Sequence, residues 1–261
     1  ITNGFTEAFD IVLSTLTESG DNVLCENPTH NTAIKIMKLH KLNIVGINEE
    51  KDGMNTEDLK AVLKSRPFKL AYLIPSYHNP TGTVMSPDKR VELYDIFKNY
   101  NVPIIEDGFN EELRYSGAHV SPMAALGQHS NGVIYLGSFS KILFPGLRIG
   151  WIFGDEKLID YMESVKRSRN IHTSVLDQAV LCDYLENGNL EKYLKKARRF
   201  YKDKYEFAVL CARKYIPFSK LWGSGGLHIF VELDNINSRE VLDRCLENGV
   251  IFTPGDIFYT D

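Results

Sequence analysis

Val133-Ile134-Tyr135-Leu136-Gly137-Ser138-Phe139-Ser140-Lys141, followed by Pro145-Gly146-Leu147-Arg148, is the stretch on which the reading of this chain turns. It opens as an apolar run of strand length and composition. The run empties into two hydroxyl residues and a lysine and, past a Pro-Gly turn, an arginine. That order suits a lysine that bonds covalently to a phosphorylated carbonyl compound. The hydroxyls and the guanidinium hold the phosphate, and the lysine amine forms a Schiff base with the aldehyde. Pyridoxal 5'-phosphate (PLP) is the cofactor of that chemistry.

Working outward, the same grammar recurs. Leu70 to Ile74 is an apolar run closed by Pro75 and the turn Asn79-Pro80-Thr81-Gly82, and Val102 to Ile105 is another, closed by Glu106-Asp107-Gly108. Asn22 to Cys25, Ile44 to Ile47 and Ile149 to Phe153 read as further strands. Between them lie helical patterns: Phe5 to Leu16, Thr32 to His40, Thr56 to Leu63, and a helix from Ser86-Pro87, a cap and first helical residue, to about Tyr100. Strand-helix alternation predicts an α/β fold, a mostly parallel sheet with helices on both faces in three layers, α/β/α. Such sheets bind ligands at the carboxyl ends of their strands, where Asn79, Asp107 and Ser138 to Lys141 fall.

Beyond about Gly154 the pattern turns helical as far as Tyr215 and is rich in Lys and Arg. The basic run Lys192 to Lys204 reads as the solvated face of a long helix, with a nucleic-acid surface as the minority alternative. Gly223 to Gly226 then leads into an alternating strand, His228 to Leu233, and a helix near Arg239 to Glu247. The expected division is a large cofactor-binding domain over 1–190 and, over 191–261, a connecting helix and a partial α+β small domain. The opening at Ile1 and the stop at Asp261 read as the ends of a piece of a longer chain.

The composition fits a soluble globular protein: 261 residues, 43% hydrophobic and 25% charged. A formal net charge of -4 excludes a global basic signature for nucleic acid. Cys25, Cys182, Cys211 and Cys245 are scattered without a CxxC pair or zinc spacing, as reduced thiols of a cytosolic protein would be. No apolar run reaches membrane-spanning length and no signal peptide opens the chain.

Lys141 is the candidate covalent residue. Arg148 binds phosphate, or forms a structural salt bridge. Asp107, ending a buried strand, can pair with a protonated pyridine nitrogen, or is a turn aspartate. Glu106 points to the other face of its strand and takes a structural role. Asn79 can donate its amide to the phenolic oxygen of the ring, or simply open a turn. Phe5 and Thr6 start a helix whose free N–H groups suit a phosphate, or are an ordinary helix start. His30 either stacks on the cofactor's face or sits idle in a loop.

Together these residues resemble the fold-type I, class I/II aminotransferases. The match runs from Ile1 to Asp261 and is densest from Tyr72 to Phe153. It rests on Pro75-Ser76-Tyr77-His78-Asn79-Pro80-Thr81-Gly82, Ile105-Glu106-Asp107, Gly137-Ser138-Phe139-Ser140-Lys141 and Arg148-Ile149-Gly150-Trp151. Within that superfamily the chain is similar to the 2-aminoadipate/kynurenine-type enzymes. It is similar too, through Glu106-Asp107 and Glu112-x-Arg114-Tyr115, to the aminotransferase-like domain of MocR-type regulators.

The resemblance implies a homodimer that moves an amino group between an L-amino acid and a 2-oxo acid through the Lys141 Schiff base. It implies, as the alternative, an effector-sensing module attached to a winged-helix DNA-binding domain. A third reading is β-elimination or decarboxylation on the same cofactor. Two positions depart from the family. Phe109 stands where a tyrosine usually contacts the phenolic oxygen, which implies a Schiff base that holds its proton to higher pH. His30 stands where relatives usually carry a stacking tyrosine. The resemblance also implies that an amino-terminal arm and the carboxylate-binding arginine of the small domain lie outside this stretch.

Overall fold

β4 (Leu70–Leu73), β5 (Ile104–Asp107) and β6 (Val133–Ser138) are each buried along their whole length. Such unbroken burial is what parallel strands covered on both faces require. The computed structural model describes residues 1–108, 111–115, 117–126 and 132–260. Around the three strands it builds a seven-stranded sheet in the order β3-β2-β1-β4-β5-β6-β7, with β1 (Asn22–Asn27), β2 (Asn43–Glu50), β3 (Gly53–Met54) and β7 (Gly150–Phe153). The neighbours from β2 to β6 run parallel. The two edge strands are antiparallel, β3 to β2 and β7 to β6.

Strand alternation builds the three layers. Tyr72, Ile105 and Ile134 join one core with Phe9, Val12 and Leu13 of α1 (Phe5–Leu16), Met37 of α2 (Asn31–Leu39) and Met162 of α5 (Glu156–Asn170). Their neighbours Ala71, Ile104 and Val133 join the opposite core with Leu59 and Leu63 of α3 (Thr56–Ser65) and Leu93 and Phe97 of α4 (Pro87–Asn99). Successive side chains on one strand thus face different helix layers, the period of two written into the backbone. The fold is α/β, with a mostly parallel sheet between helices, as the alternation in the sequence predicts.

Local chemistry sets the helix starts. The Ser86 hydroxyl accepts from Lys89 N at 3.2 Å ahead of Pro87, and Asn55 caps α3 by accepting from Asp58 N at 2.9 Å. The Lys/Arg-rich region forms α5, α6 (Val175–Glu186) and α7 (Asn189–Tyr215). On α7, Leu194 and Ala197 are buried while Lys192, Lys195, Lys196, Lys202 and Lys204 are exposed, the solvated face read from the sequence. A separate antiparallel ribbon of β8 (Lys220–Trp222) and β9 (Phe230–Glu232) precedes α8 (Ser238–Glu247). No helix among the described residues is long and apolar enough to cross a membrane.

Candidate active site

The carboxyl ends of β4, β5 and β6 lie side by side; Asp107 closes β5, Ser138 closes β6, and Asn79 sits in the loop after β4. Asp107 is almost wholly buried. Its Oδ2 accepts from the Tyr72 hydroxyl at 2.6 Å. Tyr72 is itself buried, its ring 4.9 Å from that of Phe9. Burial and the adjoining Asp107 carboxylate raise the Tyr72 phenol well above its ordinary value, so it remains a donor. The sequence reading counts Tyr72 only as an apolar strand residue. The signal available was that a buried tyrosine hydroxyl needs a partner.

Glu106 faces the other way. Its two carboxylate oxygens accept from Met123 N and Ala124 N, each at 2.8 Å, and so cap a short 3-10 turn over Met123–Ala125. Burial pushes its pKa up to about 7, although both amides and Arg90 pull it down. This is structural work on the face opposite Asp107.

Asn79 is buried, and its Oδ1 has no hydrogen-bond partner among the described residues. The amide nitrogen of the same side chain is the atom able to donate to a ring oxygen. Its loop is anchored by the buried guanidinium of Arg90, which donates to Pro75 O at 2.9 Å, Ser76 Oγ at 2.9 Å, Met85 O at 3.2 Å and Ser121 O at 3.0 Å. From above, the segment 223–228 closes on the same loop. Ser224 N donates to Gly82 O at 3.2 Å, the Tyr115 hydroxyl donates to Gly226 O at 2.7 Å, and a Cβ on Gly223 would stand 2.2 Å from Thr81 O.

A polar cradle follows β6. The Ser138 hydroxyl donates to Ser140 Oγ at 3.0 Å and accepts from Ser140 N at 3.2 Å. Arg148 donates from Nη1 to Ser140 Oγ at 3.3 Å and from Nη2 to Asn3 O at 2.8 Å, and pairs with no carboxylate among the described residues. The amino end of α1 completes the cradle. Gly4 enters it at φ 80°, no side chain caps the helix, and a Cβ on Gly4 would lie 2.6 Å from Arg148 Nη2. Thr6 is exposed in that first turn, and the half-buried Phe5 stacks on Phe9 with centroids 5.5 Å apart. Gly150 lets the strands close behind it, since a Cβ there would meet Gly4 Cα at 2.9 Å. Helical N–H groups without a side-chain cap, two hydroxyls and a guanidinium that no carboxylate among the described residues neutralises form an anion site.

Lys141 is exposed in the turn after the cradle, held by the buried Ile142 beside it and by Leu143 N donating to Phe139 O at 2.9 Å. The His30 ring lies 5.5 Å from that of Phe5. Burial, reinforced by His228, Lys141 and His78, lowers the His30 imidazole to about 4, so it is neutral at pH 7. His228, which sequence reasoning missed, is lowered by burial and by Lys141 and His78. His30, Lys141, His78 and His228 therefore share one electrostatic neighbourhood. Phe109 lies outside the described residues. No group of three or more His, Cys, Asp or Glu among the described residues could hold a metal ion.

A buried carboxylate, a buried side-chain amide, an anion cradle and an exposed lysine are the groups that pyridoxal 5'-phosphate needs, and the residues fit it. Comparison with known proteins agrees. Over 266 residues the chain is 32% identical to an aromatic-amino-acid aminotransferase of Thermococcus litoralis, covering 99% of this chain and 64% of that protein. It is 30% identical to the HTH-type transcriptional regulator YisV of Bacillus subtilis, covering 99% of this chain and 54% of the regulator. The kynurenine aminotransferase of Pyrococcus horikoshii, solved with PMP, superposes with a TM-score of 0.95 at 35% identity, over 99% of this chain and 66% of that one. The chain thus spans between half and two thirds of the length of these relatives. The sequence profile described as aminotransferase class I and II matches residues 1–261 from end to end, and this chain belongs to that family.

Proposed function

We propose that the protein is a PLP-dependent aminotransferase that moves an amino group between an L-amino acid and a 2-oxo acid, as a cytoplasmic homodimer. One observation carries the proposal. The loops and ends that follow three adjacent strands carry a buried carboxylate, a buried side-chain amide, an anion cradle and an exposed lysine.

When bound, pyridoxal 5'-phosphate supplies a carbonyl for the amine and a ring that delocalises the electron pair left by a departing proton. Lys141 supplies the amine for that carbonyl. Freed of the cofactor, Lys141 would be the general base that takes up the substrate's α-proton and the general acid that gives it back. Asp107, oriented by Tyr72, keeps the pyridine nitrogen protonated. Asn79 donates its amide to the phenolic oxygen. Ser138, Ser140, Arg148 and the N–H groups of Phe5 and Thr6 hold the phosphate, and His30 covers a ring face. In this reading residues 1–190 form the cofactor-binding domain, and 191–261 form the connecting helix and part of the small domain.

The decisive experiment is borohydride reduction of the PLP-loaded chain, peptide mass mapping, and then single-turnover assays with a panel of L-amino acids. A cofactor mass on Lys141 and release of a 2-oxo acid support the proposal. An unlabelled Lys141 refutes it. A second reading, the effector-sensing domain of a MocR-type regulator, is favoured by the 30% match to the Bacillus regulator over nearly the whole chain. It predicts labelling of Lys141 and a conformational response to amino compounds without release of a 2-oxo acid.

A further inference from the structure

Behind Asn79 lies a buried ionic cluster that none of the roles above uses. His78 is 1% exposed, and its side chain stands between two wholly buried carboxylates from different strands, Glu26 of β1 and Glu49 of β2. Nε2 is 3.2 Å from Glu26 Oε2, and Nδ1 is 3.2 Å from Glu49 Oε2. Nδ1 also lies 2.8 Å from the Thr81 hydroxyl, which donates onward to Glu49 Oε1 at 3.1 Å; the Thr83 hydroxyl donates to the same oxygen. The same Glu26 Oε2 accepts from Ile74 N at 2.9 Å.

The carboxylates thus hold the loop after β4 at both of its ends, through Ile74 and through Thr81 and Thr83. The ring joins them in the middle. His78 N donates to Thr83 O at 2.9 Å, and Gly82 N donates to His78 O at 2.6 Å, closing the turn that contains Asn79. A ring nitrogen facing a carboxylate on either side calls for a proton on each nitrogen. Burial alone would lower the imidazolium, but Glu49 and Glu26, with Asp107 beyond them, outweigh it and raise His78 to about 9. Burial raises Glu49 as well, against the pull of His78. His30 and His228 both feel the charge of His78, and both are lowered.

Among the described residues Glu26 Oε1, Glu49 Oε2 and His78 Nε2 have no aligned hydrogen bond, so charge adds to the hydrogen bonds that Thr81, Thr83 and Ile74 make to this group. A buried ionic cluster is a poor source of net stability and a good source of a single defined geometry. The residue it defines is the one next to His78.

We propose that His78 is a positioning residue: clamped between Glu26 and Glu49, it fixes the turn over residues 75–83 so that the Asn79 side chain faces the cofactor's ring oxygen. The inference rests on the cofactor assignment proposed above, and the test separates the two. In cofactor-free protein, amide hydrogen exchange over residues 75–83 is compared between wild type and His78→Gln, which can donate towards one carboxylate but not both. In PLP-loaded protein, the pH midpoint of the cofactor absorbance is compared among wild type, His78→Gln, Asn79→Ala and the double variant.

Exchange in the turn should rise about 10-fold or more, with β5 and β6 unchanged. The absorbance midpoint should move in the same direction as in Asn79→Ala, and the double variant should move no further, because two residues acting through one contact are not additive. Unchanged exchange in residues 75–83 overturns the proposal whether or not cofactor binds. So does a lower melting temperature with a stationary midpoint, or additive shifts in the double variant. If His78→Gln does not fold, Glu49→Gln removes one end of the clamp and should give the same pattern at smaller size. Failure of wild-type protein to bind PLP would count against the proposed function, and the exchange experiment would still decide the clamp.

Discussion

Tyr72 and Asp107 meet diagonally across two neighbouring parallel strands: Tyr72 is in register with Ile105, and its hydroxyl reaches forward to Asp107 Oδ2 at 2.6 Å. The carboxylate assigned to the pyridine nitrogen is therefore aimed by a rigid, buried phenol. A hydrogen bond to a buried charge contributes more than one between neutral groups. Tyr72→Phe should lower the stability of the cofactor-free chain by about 1–3 kcal/mol in urea titration. It should also weaken PLP binding about 10-fold in fluorescence titration.

Lys141 is exposed, so Lys141→Ala should change stability by no more than about 0.5 kcal/mol. The same substitution should abolish borohydride-stable attachment of the cofactor. Covalent chemistry and fold are thus separable at this residue, and a large stability loss would place Lys141 in the core instead.

The cradle predicts an anion affinity that does not need the ring. Arg148→Gln should weaken both PLP and inorganic phosphate by about 10–100-fold in calorimetry, the range expected when one charge-assisted hydrogen bond is removed. Gly4→Ala should weaken phosphate through a different route, since its Cβ would press on the guanidinium at 2.6 Å while the backbone sits at φ 80°. Phosphate binding that survives Arg148→Gln would place the anion elsewhere.

His30 makes a prediction about acid. Its folded-state value of about 4 lies below the ordinary 6.5, so the unfolded chain takes up the proton first. Stability should therefore fall as pH drops from about 6.5 towards about 4, by up to about 3 kcal/mol from this residue. His30→Phe keeps an aromatic ring and should flatten that part of the stability–pH curve. An identical slope in the variant would assign the acid sensitivity to other groups.

Much of this architecture is legible in the sequence because parallel strands leave an unambiguous mark. Leu70 to Leu73 and Val133 to Leu136 are apolar without a break, and the first polar residues after them mark the ligand-facing rim. The alternation rule also separates Glu106 from Asp107: one carboxylate caps the Met123–Ala125 turn and the other meets Tyr72. What the sequence hides are relationships between distant segments. An apolar run carries no arrow, so nothing in Gly150 to Phe153 announces that β7 runs antiparallel to β6. Glu26 and Glu49 look like solvent-facing residues on amphipathic strands until His78 is placed between them. His228 looks like the start of a strand until the segment 223–228 folds over the Asn79 turn.

The hydrogen bond between Arg148 Nη2 and Asn3 O joins residues 145 apart in the chain. Thr2 and Gly150 are laced together beside it by a pair of backbone hydrogen bonds, each 2.9 Å long. An anion seat made from both ends of so long a loop has no counterpart in a half-folded chain, because closing the loop must precede any reward from the interaction. Cofactor capture therefore reports on the order of assembly as well as on chemistry. A ligand that binds only the finished fold withdraws finished molecules from the folding equilibrium.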